Sequence, residues 1–179
     1  MRKLGRVRQF WRAVRAEVKA EELDFMRAHV PEQVWPFFLD MHPADQRHAL
    51  NVAHTALKLA AGESAGEVDR ELLLRCALLH DIGRQRGSMD VWGKVLAVLA
   101  DKWLPEELWQ KHSRPEAKNL REKPGHALYV YREHPRLGAD MLVSVGLSAE
   151  AEIILHHHEP FCEGEPAELT LLRRADELN

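Results

Sequence analysis

The sequence contains only two cysteines, Cys76 and Cys162, and their spacing is not that of a zinc site. Cys76 lies in the apolar run 72–79, where a free thiol behaves as a small hydrophobic side chain. Nothing therefore indicates a fold built on disulfides or on cysteine-bound zinc. We expect a protein of the reducing cytoplasm.

Long hydrophobic runs and a strong charge of one sign are also missing. No stretch approaches the apolar length of a membrane-spanning helix, and the basic N-terminus lacks the hydrophobic block of a secretion signal. The 25 Lys and Arg residues nearly balance the 28 Asp and Glu residues, which leaves a formal net charge of -3. Such a balance creates no overall field that attracts nucleic acid, so no nucleic-acid partner is expected.

Alternating β-branched stretches are absent, whereas apolar residues recur at helical spacing along almost the whole chain. This pattern predicts an all-α fold, and 179 residues suit a single domain with one substantial core. The polar stretch 105–125 is predicted to be a surface connection, with a mobile flap near a site as the alternative. The predicted helices cover 19–29, 31–41, 44–61, 68–82, 89–103, about 135–145, 148–158 and 166–178, with Pro135 opening the sixth and Ser148 capping the seventh.

Two of these segments carry amphipathic patterns that need an interpretation. In 89–103 a stripe of large apolar residues is predicted to face the core; its members are Trp92, Leu96, Leu99 and Trp103. Residues 4–18 read as a basic amphipathic helix within an N-terminal extension, 1–39, that packs on or continues the domain 40–179. This basic helix either lies on the domain, which we favour, or contacts an anionic membrane surface or a partner.

Ionisable residues lie where an apolar side chain would be the default. The apolar run 72–79 predicts a buried helix, and it leads directly into His80 and Asp81. His48 shares a helical face with apolar residues four, eight and eleven positions later, and Asp176 lies four and seven positions after leucines. A buried carboxylate needs a paired cation or a metal. Imidazole and carboxylate together suit a divalent ion that keeps open positions.

A second group of histidines follows later in the chain. His134 precedes Pro135, and His156, His157 and His158 end a predicted helix. Because neighbouring helical residues point about 100° apart, at most two of these three histidines should share one site. We interpret His156 as part of a solvated helix end. The remaining histidines are interpreted as surface or structural, namely His29, His42, His54, His112 and His126.

Three segments carry a resemblance to a known family. The first is Arg47-His48, the second runs from Leu78 to Arg84 and reads Leu-Leu-His-Asp-Ile-Gly-Arg, and the third ends in Ala175-Asp176. In order and spacing they resemble the His…His-Asp…Asp pattern of the HD-domain superfamily of metal-dependent phosphohydrolases, in particular members with a His-Asp-Ile-Gly motif. The resemblance covers about residues 40–179 and implies a helical bundle around a buried metal site. The metal ligands that it implies are His48, His80, Asp81 and Asp176.

The run His134-Pro135-Arg136-Leu137-Gly138, followed later by His157-His158-Glu159, resembles the additional ligands of HD members that bind two metals, including the HD-GYP branch. This resemblance implies a second ion, held by His134, His157 and His158 and bridged to the first by Asp81. The residues after the histidine pair read Pro160-Phe161-Cys162, so the Gly-Tyr-Pro signature is absent. That absence argues against hydrolysis of cyclic dinucleotides.

Together these observations predict a phosphomonoesterase or phosphodiesterase that acts on a nucleotide or another small phosphorylated metabolite. The hydrolytic water would be activated by one or two divalent ions, for which the ligands admit Mn, Fe, Co, Ni, Zn or Mg. Asp81 and Arg84 are the predicted catalytic residues. Arg84, one turn after His80, is expected to contact a phosphate oxygen, and Arg47 is a second candidate for such a contact.

Two other interpretations stay open at the level of sequence. The chain would be a catalytically silent HD domain if it bound a nucleotide and reported it to a partner, for example through residues 4–18. An intact set of metal ligands favours the enzyme, because a pure sensor has no need of an open metal site. Alternatively, the inward His and Asp side chains would form a structural polar network without metal.

Overall fold

The computed structural model describes residues 18–62, 68–87 and 91–179, without defining the side chains of residues 91, 92, 94 and 95. The predicted basic helix 4–18 lies outside the described residues except for its last residue, so its role stays a prediction. Within these ranges the chain forms α-helices, one 3-10 turn at Glu32–Val34 and no strand beyond an isolated bridge between Met41 and Gln85. The all-α prediction is therefore confirmed.

Nine α-helices make up this part of the chain, and none of them is long and apolar enough to cross a membrane. In chain order they are α1 (Ala20–His29), α2 (Trp35–Leu39), α3 (Pro43–Ala60), α4 (Arg70–Leu79), α5 (Val91–Trp103), α6 (Glu106–His112), α7 (Lys123–Ser144), α8 (Ser148–Leu155) and α9 (Ala167–Glu177).

The buried helix α4 lies in the middle of the bundle. Its first turn is capped by Asp69, whose carboxylate accepts hydrogen bonds from the amides of Glu71 and Leu72 at 3.1 and 3.0 Å. The helix then packs against α1, α3, α8 and α9, and its last four residues are all buried. Because it ends at Leu79, the chain delivers His80 and Asp81 straight into the interior, where each is 1% exposed.

Two hydrophobic clusters hold the described part of the chain together. The larger one surrounds α4 and includes Met26, Val34 and Phe38, so residues between 20 and 39 contribute directly to the main core. The smaller one joins α5 and α6 to the first half of α7 and contains Trp109. Helix α7 spans both clusters, since its second half packs through Leu142 into the larger one. His134 lies near the middle of this helix.

The prediction that Pro135 opens a helix is wrong. Pro135 lies inside α7, twelve residues after the helix begins at Lys123. Proline normally ends a helix because it lacks an amide and because its ring crowds the carbonyl four residues earlier. Here the packing of α7 on two cores overrides that local preference. The polar stretch 105–125, predicted to be a plain connection, likewise contains the whole of α6, whose Trp109 packs into the smaller cluster.

The predicted core stripe of α5 is also wrong for the residues whose side chains are described. Leu96, Leu99 and Trp103 are 43%, 54% and 76% exposed, whereas Ala97 is fully buried. The helix therefore packs through its small residues, which allow close contact with α7. The side chain of Trp92 lies outside the described part.

Smaller differences occur at three helix ends. The predicted helix 31–41 is split into the 3-10 turn and α2, because Pro36 has no amide to continue a helical ladder from Glu32. Ser148 is the first residue of α8 rather than its cap, and α8 ends at Leu155, before the three consecutive histidines.

The turn after α4 lies unusually close to α7. A Cβ atom on Gly83 would lie 2.2 Å from the carbonyl oxygen of His134 and 2.9 Å from the amide nitrogen of Gly138. Only glycine allows two backbones to approach this closely. This contact sets the short distance between Asp81 and His134.

Candidate metal centre

Two groups of potential metal ligands lie side by side in the bundle. In each group the ligating atoms lie within 4.8 Å of one another. The first group is His48, His80 and Asp176, and the second is His134, His157 and His158. Asp81 lies between them, with Oδ2 3.7 Å from His80 Nε2 and Oδ1 3.3 Å from His134 Nε2. The structure thus brings together all seven residues that the sequence analysis singled out as ligands.

The first group joins three helices. His48 comes from α3, His80 follows α4 and Asp176 lies on α9; His48 Nε2 is 2.8 Å and His80 Nε2 is 3.7 Å from Asp176 Oδ1. Burial opposes a charge on His48, but its hydrogen bond to Asp176 and the negative charge of Asp81 outweigh burial and raise its pKa. Burial likewise opposes ionisation of Asp176, yet the hydrogen bond from His48 and the charge of His80 lower its pKa to about 2. His48 and Asp176 therefore each favour the charged form of the other.

The second group consists of imidazoles that stay neutral. His134 comes from α7, and His157 and His158 come from the turn after α8; the Nε2 atoms of His134 and His158 are 3.1 Å apart. Burial, reinforced by the positive charge of Arg84, lowers the pKa of His134 to about 4. Burial also lowers the pKa of His157 and that of His158. A neutral imidazole has a free lone pair, which is the form that binds metals.

The orientation of three buried rings is fixed by the main chain. The Nδ1 atoms of His80, His134 and His157 lie 2.9, 2.8 and 2.6 Å from the carbonyl oxygen three residues earlier in each case. A carbonyl only accepts hydrogen bonds, so each Nδ1 carries a proton, and in His134 and His157, whose pKa is lowered by burial, Nε2 carries the lone pair. The Nε2 atoms of His80 and His134 lie 3.7 and 3.3 Å from the carboxylate oxygens of Asp81, and the ring of His157 lies 5.4 Å from each of their rings.

Two of these Nε2 atoms have no hydrogen-bond partner in the described structure. The Nε2 atoms of His80 and His157 are buried without a hydrogen bond, and so is Asp81 Oδ1. Each such atom costs about 1–3 kcal/mol if it stays unsatisfied. A divalent cation would satisfy nitrogen and carboxylate donors at once, and ligating histidines characteristically donate their other ring proton to a carbonyl. The residues therefore fit the metal that their pattern suggested.

Arg84 enters the same centre from the turn after α4. Its Nη1 donates to Asp81 Oδ2 at 2.7 Å, and its Nη2 lies 3.0 Å from His134 Nε2. Burial alone would keep Asp81 protonated, but the charges of Arg84 and His80 hold the pKa of this carboxyl well below its usual range. Asp81 is thus a buried carboxylate whose charge is balanced by its neighbours.

Other candidates from the sequence lie away from the centre. Arg47 forms a two-pronged ion pair with Glu22 of α1, a residue that belongs to neither ligand group. His156 pairs instead with Glu152 and Glu159 at 3.4 and 2.9 Å. The five histidines interpreted as surface or structural belong to neither group. Among them His42 accepts a hydrogen bond from the amide of Ala44 at the start of α3.

One supporting residue was missed by the sequence analysis. Arg173 on α9 donates to both carboxylate oxygens of Glu165, at 2.7 and 2.6 Å, and to the carbonyl oxygen of His156 at 3.0 Å. These bonds tie the turn that carries His157 and His158 to the helix that carries Asp176. The signal in the sequence was an arginine three residues before Asp176, a pattern too common to interpret alone.

Comparison with known proteins adds one finding. No curated protein and no solved structure gives a significant match to this chain. A family model described as the HD domain matches residues 46–179, about three quarters of the chain, and this span contains both ligand groups and Asp81. The chain therefore belongs to the HD-domain family, whose members are generally metal-dependent phosphohydrolases.

Proposed function

We propose that this protein is a metal-dependent phosphohydrolase that cleaves a phosphoester of a nucleotide or of another small phosphorylated metabolite. One observation carries the proposal: the Nε2 atoms of His80 and His157, whose rings lie 5.4 Å apart, are buried without a hydrogen bond, and so is Oδ1 of Asp81. A polar network built only for stability would leave no such atoms unsatisfied. The family assignment supports the same chemistry.

Two ions are proposed, one for each ligand group, with Asp81 shared between them. His48, His80 and Asp176 would hold the first, and His134, His157 and His158 the second. The chemistry supplied by bound divalent ions is Lewis acidity, which polarises a phosphoryl oxygen and makes water a better nucleophile near neutral pH. The nitrogen and oxygen ligands suit Mn, Fe, Co, Ni, Zn or Mg.

The centre is open on one side. His80, Asp81, His134 and His157 are buried, whereas His158 is exposed and the side chains of His48 and Asp176 are 28% and 23% exposed. A substrate phosphate therefore approaches past these three residues. Such an opening is typical of catalytic sites, since structural metal sites are closed by four protein ligands.

Arg84 is proposed to bind the substrate phosphate. Its guanidinium lies beside Asp81 and is 16% exposed, so it borders both the ligand groups and the opening. Charge-assisted bonds from a guanidinium to phosphate oxygens are strong and directional. In this role Arg84 orients the phosphoryl group and balances its charge.

The subtype is part of the proposal. Residues 80–83 read His-Asp-Ile-Gly, and we infer that the protein belongs with HD members that carry this motif. The close contact of Gly83 with α7 gives the glycine of the motif a physical reason. Because Pro160-Phe161-Cys162 replaces a Gly-Tyr-Pro signature, cyclic dinucleotides are not the proposed substrates.

The test combines metal analysis with a screen of substrates. Protein purified without chelators is analysed for bound metals and then assayed against nucleotides and small phosphoesters. The proposal expects a divalent metal and turnover, and it expects Asp81→Asn to lose both. Asp140→Asn is the matched control, because Asp140 is an exposed carboxylate that pairs only with Arg136 on the same helix.

The other outcomes separate the alternatives. Metal or nucleotide binding without turnover of any substrate would point to a regulatory module. Protein that holds no metal even after incubation with each of the six ions would leave the structural polar network as the explanation. Equal losses in Asp81→Asn and Asp140→Asn would mean that Asp81 has no special role.

A further inference from the structure

Three buried histidines of the centre share one local hydrogen bond. In His80, His134 and His157 the ring Nδ1 donates to the carbonyl oxygen of the residue three positions earlier. Inside an α-helix, however, a carbonyl is normally committed to the amide four residues later. Each ring gains a less contested acceptor where the carbonyl has no amide four residues later.

Two of the three carbonyls are released by the end of a helix. His80 uses the carbonyl of Ala77, and α4 ends at Leu79. His157 uses the carbonyl of Ile154, and α8 ends at Leu155. The last four carbonyls of any helix lack a partner in the regular ladder. The helix ends thus explain both bonds.

His134 has no helix end to rely on. It lies in α7, which continues for ten residues beyond it to Ser144. Its acceptor is the carbonyl of Tyr131, at 2.8 Å from Nδ1. The regular partner of this carbonyl would be the amide of residue 135, and residue 135 is proline, which has none. The carbonyl lacks its regular helical partner because residue 135 is proline.

We propose that Pro135 is a positioning residue for His134: by withholding an amide from the Tyr131 carbonyl, it supplies the acceptor that fixes the ring of His134 with Nε2 toward Asp81. The inference rests on the proposed metal site only for its consequence, namely the binding of an ion by that lone pair. It also gives a physical reason for a buried proline in the middle of a long helix.

The orientation of a ligating ring has a measurable effect on metal affinity. Removing the partner of the non-ligating ring nitrogen typically weakens metal binding about 10- to 100-fold. An alanine at position 135 would bring an amide that competes with the ring for the Tyr131 carbonyl. We therefore expect weaker binding by His134 although the helix itself is not weakened, since alanine is more favourable than proline in a helix interior.

The experiment compares two replacements that differ by one group. Pro135→Ala has an amide N–H, whereas lactic acid placed at position 135 by nonsense suppression has the same side chain and an ester oxygen instead. Long-range proton–nitrogen spectra of the metal-free protein at neutral pH show which ring nitrogen of His134 is protonated. The signal is identified by its loss in His134→Gln. Calorimetric titration with Mn or Zn then gives the affinities.

The wild type is expected to carry the proton on Nδ1 and no proton on Nε2. Pro135→Ala is expected to lose this preference and to bind the second ion about 10- to 100-fold more weakly, and the lactic acid replacement is expected to restore both. In the wild type, a coupling across the hydrogen bond between His134 Nδ1 and the Tyr131 carbonyl carbon tests the same contact without any replacement.

Two results would overturn the inference. In one, Pro135→Ala keeps the ring protonation of the wild type. In the other, alanine and lactic acid change it equally, which would assign the effect to loss of the proline ring. If the wild type bound no ion, the proposed function would fail, while the ring spectra would still decide the role of Pro135.

Discussion

Replacement of Arg84 by alanine is expected to strengthen the binding of the second metal ion. Arg84 Nη2 lies 3.0 Å from His134 Nε2, and that nitrogen has a single lone pair. A metal ion and the guanidinium cannot use this lone pair together, so an ion that binds His134 must displace Arg84. The stability of the metal-free protein therefore depends on Arg84 more than the stability of the metal-loaded protein does.

The size of the effect follows from the burial of Asp81. This carboxylate is 1% exposed, and Arg84 donates to it at 2.7 Å. Removing one partner of a buried ion pair costs about 3–5 kcal/mol, because the other charge is left unpaired. In the loaded protein the ion supplies the positive charge, and the loss should fall to about 1 kcal/mol. The difference of about 2–4 kcal/mol corresponds to about 30- to 1,000-fold tighter binding.

Calorimetric titration with metal and urea unfolding of both forms measure these quantities. Arg136→Ala is the control, because Arg136 is 48% exposed and its partners in the described part of the chain, Glu133, Asp140 and Tyr129, lie on the same helix, so the change should cost less than about 1 kcal/mol in either form. Turnover of phosphoesters should fall in Arg84→Ala even though metal is held more tightly, since the proposed phosphate contact is lost. Weaker metal binding, or equal destabilisation of the two forms, would refute this reasoning.

Three further predictions concern the same protein. Gly83→Ala should destabilise by about 1–3 kcal/mol in urea, because its Cβ would lie 2.2 Å from a carbonyl oxygen, whereas Gly62→Ala, whose nearest neighbour is 3.5 Å away, should not. Metal-free protein should lose stability between about pH 6.5 and 4: His134 has a folded pKa of about 4, below its unfolded value, so the unfolded chain takes up the proton first. His134→Gln should flatten this acid slope in pH-dependent urea unfolding. Iodoacetamide should label the exposed Cys162 and spare Cys76, whose pKa is raised by burial; labelling at Cys76 in the folded state would contradict its placement.

The parts of the centre that lie next to buried helices could be predicted from sequence. The run 72–79 is apolar around most of its circumference, and that pattern alone places His80 and Asp81 in the interior. Asp176 followed from the same logic, because its helix shows a regular apolar stripe that the structure buries at Leu169 and Leu172. The spacing of apolar residues in the sequence shows which face of a helix is buried. This face can therefore be predicted without knowing the helices against which it packs.

The second histidine group could be predicted only in part. Helical geometry predicted that at most two of the three consecutive histidines share one site. The residues that follow Leu155 lie outside the helix, however, so helical angles do not predict the direction of each ring. The structure turns His157 and His158 toward His134 and leaves His156 beside two glutamates. That choice depends on the bonds of Arg173 to the turn, which are contacts between distant segments.

The two ligand groups differ in the positively charged side chain that lies among the ligands in the metal-free protein. In the first group the hydrogen bond between His48 and Asp176 lies between the ligands, and it raises the pKa of His48, which favours the protonated imidazole. In the second group the imidazoles are neutral and the guanidinium of Arg84 provides the charge instead. Because Asp81 and Asp176 are both partly or wholly buried, neither carboxylate tolerates the loss of its cation. If two ions bind as proposed, the first would displace the hydrogen bond between His48 and Asp176, whereas the second would displace Arg84 from His134 and leave its guanidinium free to bind phosphate.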